Sequence, residues 1–190
     1  MARVLSSFHG EYLSRGHSCS HNLSQVILKQ LIDAAIEMLS RGVFHRDIKL
    51  ENILIEKGTD APRLRFIDFG CATTFTPEEV FTVYTGMLFV LLSADLTTSY
   101  PSPFALLPCV FDGIPGTKVY TPPELHQHHC YMAGPTTVWQ LGVVMYGLLH
   151  RKIPFRTKRG IICDHPLILS ELSEGKKHIS TLSLRSHQHR

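Results

Sequence analysis

The sequence predicts a mainly α fold with a short β-hairpin, and three observations carry that expectation. Apolar residues recur at helical spacing from Ile27 to Leu39. Two short apolar runs flank a turn-forming hexapeptide, and the segment from Thr136 to Leu149 is apolar on nearly every face. A chain of 190 residues is long enough to enclose one core.

Taken in order, residues 1–22 hold Ser, His, Arg and Gly without a clear period and are expected to form an irregular tail. The first helix follows. Ser24 is its candidate N-cap, Ile27, Leu31, Ala35 and Leu39 recur every four residues, and Val26, Ile32 and Ile36 reinforce the apolar pattern. Gly42 stands where a left-handed C-terminal cap falls. Lys29 lies inside this helical pattern and is expected to face solvent. Asn52-Ile53-Leu54-Ile55 and Leu64-Arg65-Phe66-Ile67 read as two strands, with Lys57 to Pro62 supplying the turn. Residues 87–111 are apolar, then Ser/Thr/Pro-rich, with no sustained period, and read as an unusual insertion. Thr136 to Leu149 predicts a helix buried all round, with Trp139 in the core. Residues 163–190 are expected to be a polar tail.

Composition narrows the partners. A net charge of +3 is too mild to argue for nucleic acid or a membrane surface. The apolar run Met87 to Leu92 is far shorter than the roughly 20 residues of a spanning helix. Five cysteines, odd in number and lacking a C-x-x-C pair, argue against a disulfide framework. A cytoplasmic setting, with the nucleus as a further possibility, is the expectation. His126-Gln127-His128-His129-Cys130 holds good zinc ligand types, but its spacing matches no finger pattern.

Two strings carry the chemistry. His45-Arg46-Asp47-Ile48-Lys49-Leu50-Glu51-Asn52 reads H-R-D-x-K-x-x-N, and Asp68-Phe69-Gly70 follows with 21 positions between its aspartate and Asp47. Pro122-Pro123-Glu124 comes later. In this order the motifs resemble the catalytic loop and magnesium motif of protein kinases. The resemblance implies that Asp47 accepts the substrate hydroxyl proton and that Lys49 offsets charge on the γ-phosphate of ATP. Asn52 and Asp68 hold Mg2+, as hard oxygen ligands suit a hard cation. Arg46 belongs to the same catalytic set, and Glu51 to the nucleotide and substrate side. Lys49, and Thr117 as a bridge between Asp47 and Lys49, resemble the serine/threonine branch. His45 and Phe69 are expected to pack as internal support.

Gly42-Val43-Phe44, Phe66-Ile67, Val83-Tyr84-Thr85, Gly116 to Glu124, Val138-Trp139-Gln140-Leu141-Gly142 and Ile153-Pro154-Phe155 extend the likeness. Their succession resembles the Pim family, whose members favour Pro-Pro-Glu. Most kinases carry an aspartate two residues before the tryptophan; here Thr137 takes that position, and the Pim branch is similarly non-acidic there. The likeness covers residues 23–86 and 111–162. It implies the C-terminal lobe of the protein kinase fold over residues 23–162, acting on Ser/Thr hydroxyls of proteins, with ATP and Mg2+ as cofactors.

Three departures qualify that picture. No glycine-rich loop or strand lysine stands among the 44 residues before His45, so the N-terminal lobe is expected to be absent and the chain alone inactive. From Asp68 to Glu124 the chain runs 56 positions, about twice the usual activation segment of this family. No late arginine is evident to pair with Glu124, which predicts an uncompensated buried charge, unless Arg156 or Arg159 substitutes. A non-catalytic interaction module and an unstable fragment remain the alternatives.

Overall fold

Two long helices and a small antiparallel sheet carry the chain, which the computed structural model describes over residues 2–7, 21–56, 62–82, 110–111, 114–115, 117–182 and 184. The elements in order are β1 (Ala2–Val4), α1 (His21–Ser40), β2 (Val43–Phe44), β3 (Ile53–Glu56), β4 (Arg63–Phe66) and β5 (Thr73–Thr74). Then come β6 (Val80–Thr82), β7 (Val110–Phe111), β8 (Ile114–Pro115), α2 (Pro123–His128), β9 (Cys130–Met132), α3 (Ala133–His150), α4 (Lys158–Cys163) and α5 (Glu174–Leu182). The mixture of helices and small sheets matches the predicted class.

Helix α1 buries Ile27, Leu31 and Ala35, as their four-residue spacing requires. It begins at His21, ahead of the expected cap at Ser24. Val26, Ile32 and Ile36 do not reinforce the buried face. They lie on the opposite side, and Ile36 is 60 % exposed. Lys29 faces solvent and pairs with Asp33 at 2.6 Å. The helix ends where Gly42 turns left-handed, with φ of +68°. A Cβ at Gly42 would also stand 3.3 Å from the Phe75 carbonyl oxygen, so this position needs glycine for close approach as well as for φ.

The predicted hairpin is β3–β4, paired Ile53↔Phe66 and Ile55↔Leu64, one residue off the expected limits. Ile53 and Ile55 both point into the core, following the two-residue period of a strand. Most of the expected turn, residues 57–61, lies outside the described residues. Gln30 ties α1 to the hairpin: its Nε2 donates to the Pro62 carbonyl at 2.7 Å, and its Oε1 accepts from the Leu64 amide at 2.9 Å.

The first residues are not all irregular. Ala2–Val4 forms β1, antiparallel to β3 with Arg3 opposite Ile55, and Leu5 is fully buried. A tripeptide is too short to show a period, yet the open edge of β3 offers unpaired amides and carbonyls that recruit it. The far end is also more than a polar tail. Residues Glu174–Leu182 form α5, Leu184 is buried in the main core, and the Tyr146 hydroxyl donates to the Leu167 carbonyl at 2.7 Å. The insertion assigned to residues 87–111 lies outside the described residues, except that Val110–Phe111 pairs with Ile114–Pro115.

Helix α3 is the central pillar. Val143 and Val144 are fully buried, Tyr146 nearly so, and the Trp139 ring stacks on Phe155 with centroids 6.0 Å apart. The burial is not all-round: Val138 is half-exposed, and Leu141, Leu148 and Leu149 are only partly buried. Among the described residues no helix is long and apolar enough to cross a membrane. A second, smaller cluster gathers Phe44, Phe81, Leu125, Tyr131 and Ala133, joining β2 to the β6–β9 pair. Glu124 is only half-buried and has an interaction partner, so the expected uncompensated buried charge is not found. Arg156 and Arg159 are exposed. Cys71 is disulfide-bonded, a pairing the scattered cysteines did not suggest, while Cys130 and Cys163 are free.

Candidate active site

The loop between β2 and β3 carries the H-R-D-x-K-x-x-N string, and its geometry is set by groups from four parts of the chain. Arg46 has φ of +66°, a left-handed conformation that costs a non-glycine residue free energy and turns Asp47 inward. Asp47 is buried, with both carboxylate oxygens engaged. Oδ2 accepts from Lys49 Nζ at 2.7 Å and from Asn52 Nδ2 at 3.1 Å. Oδ1 accepts from the backbone amide and the hydroxyl of Thr117, both at 2.9 Å. Lys49 Nζ also donates to Thr117 Oγ1 at 2.9 Å, closing a triangle of Asp47, Lys49 and Thr117.

The surroundings of Asp47 hold it ionised. Burial alone pushes its pKa up, but the hydrogen bonds from Lys49 and Thr117 and the lysine charge outweigh that, leaving it below the usual value. Its carboxylate is therefore charged across the neutral range. The Asp47 amide in turn points at His45 Nδ1, 3.4 Å away, and His45 Nε2 lies 3.1 Å from the Ile67 carbonyl oxygen. These two partners assign the neutral tautomer with hydrogen on Nε2. Burial lowers the His45 pKa, only partly offset by the Ile67 carbonyl and Asp47.

Asn52 is buried, and Nδ2 also donates to the Asp47 carbonyl at 3.0 Å. With Nδ2 so held, its amide oxygen is the atom suited to a hard cation. Asp68 sits beyond the hairpin in a left-handed conformation, exposed, with Oδ1 accepting from the Gly70 amide at 3.3 Å. Among the described residues no three His, Cys, Asp or Glu side chains are grouped to hold a metal unaided. One carboxylate and one amide oxygen fit Mg2+, which commonly takes few protein ligands and completes its shell with phosphate and water. Were Mg2+ bound, Asn52 and Asp68 would be the residues to hold it, and the ion would supply charge neutralisation to a bound phosphate.

The remaining expected residues lie outside the Asp47 cluster. Arg46 donates through Nε to the Cys71 carbonyl, tying the loop that carries Asp47 to the segment after Asp68. Glu51 is exposed in the single turn Leu50–Asn52, where its charge and, before it, burial push the Tyr120 phenol up to about 12. Phe69 packs on His45 with ring centroids 4.7 Å apart, yet is 47 % exposed rather than internal. Sequence reasoning missed Gln140, which bonds the backbone of this loop from α3. The available signal was one amide in the largely apolar run Val138 to Leu149, since a buried amide requires partners.

Three buried histidines give the domain a pH dependence. Burial lowers the pKa of His45, of His126 beside Lys158, and of His150. Below the unfolded value of 6.5 the unfolded chain binds protons that the folded chain refuses, so stability is full above that pH and falls beneath it. A falling Tm between about pH 7 and pH 5.5 is expected from thermal melts. A flat or rising Tm over that interval is the contrary result.

Comparison with known proteins agrees with this geometry. A family model described as "Protein kinase domain" matches residues 4–181. The chain is 30% identical over 163 residues to the serine/threonine-protein kinase pim-2 of Danio rerio, covering 86% of this chain and 42% of that protein. It is 28% identical to serine/threonine-protein kinase prk-2 of Caenorhabditis elegans, covering 78% of this chain and 26% of the relative. To serine/threonine-protein kinase ppk25 of Schizosaccharomyces pombe it is 24% identical, over 87% of this chain and 30% of the relative. The chain thus spans less than half the length of these relatives. The family model, matched over residues 4–181, places the chain in the protein kinase family, with serine/threonine kinases as its relatives.

Proposed function

We propose that residues 23–162 form the C-terminal, catalytic-loop lobe of a Pim-like serine/threonine kinase that transfers the γ-phosphate of ATP, with Mg2+, to protein hydroxyls. The observation that carries this reading is the triangle of Asp47, Lys49 and Thr117. Phosphoryl transfer asks chiefly for positioning and charge neutralisation. Asp47 orients the incoming hydroxyl and takes its proton. Lys49, largely buried and anchored on Asp47, presents an ammonium to the phosphoryl oxygens. Thr117 holds the aspartate carboxylate and the lysine in register. Asn52 and Asp68 supply the oxygen ligands. A cytoplasmic, and also nuclear, location suits an ATP-dependent enzyme with protein substrates; nucleic acid and membrane are not part of this reading.

The test is transfer of labelled γ-phosphate from Mg-ATP by the protein that carries these residues, offered peptides with Ser, Thr or Tyr as sole acceptor. Label on Ser and Thr that disappears with a magnesium chelator is the expected result. Label on Tyr, or none, contradicts the proposal.

A further inference from the structure

Gln140 is 1 % exposed and sits on α3 beside the buried Trp139. Its side-chain amide is used at both ends. Nε2 donates to the Arg46 carbonyl at 2.7 Å, and Oε1 accepts from the Ile48 amide at 3.3 Å. Those two backbone groups belong to the residues immediately before and after Asp47. The remaining backbone groups of Asp47 are also met by side chains: its amide by His45 and its carbonyl by Asn52. No strand neighbour supports this stretch, which has no regular secondary structure of its own.

We infer that Gln140 is a positioning residue for phosphoryl transfer, clamping the peptide planes on either side of Asp47 from the rigid core helix. The inference rests on the proposed kinase activity. Its physical basis is strain and distance. Arg46 is held left-handed, a conformation that persists only where surroundings over-determine it. The amide of Gln140 spans both flanking peptides, so it resists relaxation of φ at Arg46 and rotation at Ile48 together. Because α3 is anchored by Val143, Val144 and Tyr146, the clamp transmits the position of the core to the catalytic carboxylate. Small displacements of a reacting group are costly in rate, which is why such a clamp affects turnover and not only stability.

Gln140→Met keeps the volume and removes both bonds. In the chain as it stands, hydrogen exchange at the Ile48 amide is expected to speed by about tenfold or more, while the amides of Val143 and Val144 stay protected. In phosphotransfer assays kcat is expected to fall about tenfold with KM for ATP and peptide little changed, since the clamp touches neither ligand. Gln140→Glu keeps an acceptor for Ile48 and, when ionised, loses the donor to Arg46. Ile48 protection is expected to survive, and relative activity to rise as pH falls from about 8 to 6.5 and the buried carboxyl regains a proton to donate.

Unchanged Ile48 exchange in folded Gln140→Met overturns the clamp. Lost protection with unchanged kcat overturns its positioning of Asp47. Should Gln140→Met not fold, the pH profile of Gln140→Glu decides, a profile parallel to the parent's being the negative result. A parent protein without phosphotransfer would sink the kinase reading alone, and the exchange contrast would still judge the clamp.

Discussion

Asp47→Asn is expected to lower phosphoryl transfer by about a thousandfold, within the range associated with loss of a positioned general base. Shape is conserved in this change, but the hydrogen bonding is not. In the parent, Oδ2 receives donors from Lys49 and Asn52, and Oδ1 receives two from Thr117. Asparagine can present an oxygen to only one of these pairs. With its amide nitrogen toward Lys49 and Asn52, donors face donors, and a part-buried ammonium loses its counter-charge. Flipped, the same nitrogen faces the Thr117 amide. Both orientations disturb the triangle, and the carboxylate charge that the proposed mechanism relies on is gone. Initial rates at saturating Mg-ATP, with a thermal melt to verify folding, make the check. A folded variant retaining more than a tenth of parental activity would remove Asp47 from the chemistry.

The second large effect lies in the smaller aromatic cluster. Phe44→Ala is expected to cost about 3–5 kcal/mol, the usual range for emptying a buried phenylalanine site. Phe44 is fully buried and its ring meets Phe81 at 5.5 Å, Tyr131 at 6.0 Å and Phe75 at 6.3 Å. These partners come from three separate stretches, so the cavity cannot close by moving one side chain. Folded domains have only about 5–15 kcal/mol in total, which makes this loss a large share. Phe44 directly precedes His45, so the void also loosens the loop that carries Asp47. Denaturant unfolding should show the lowered midpoint, and amide exchange should show Phe81 in the β6–β9 pair opening first. A cost below about 1 kcal/mol would mean that the cluster is not a cooperative part of the core.

Much of the Asp47 cluster was legible because its members are close in the chain. Asp47, Lys49 and Asn52 stand within six positions, and a carboxylate, an ammonium and an amide at that spacing fall on one loop. The third member of the triangle was reached by likeness and not by spacing, for Thr117 lies 70 positions from Asp47. Glu51 and Arg46 share the same short string, yet one faces solvent and the other reaches to Cys71. Adjacency in the chain does not say which way a loop side chain turns. The same limit applied to α1, where Ile32 and Ile36 have the apolar character of core residues and face outward.

By itself the sequence determined the two long helices, the hairpin and the residues Asp47, Lys49 and Asn52 that meet on one loop. Periodicity, glycine placement and motif spacing are properties of a few consecutive residues, and backbone geometry translates them directly. Only the tertiary structure decided that Ala2–Val4 completes the sheet, that Leu184 enters the core and that Gln140 brackets Asp47. Each of these joins segments dozens of residues apart. Such contacts form because an open strand edge, an apolar cavity or an unpaired peptide group must be satisfied, and the chain can meet that need from many positions. Which position meets it is settled by packing.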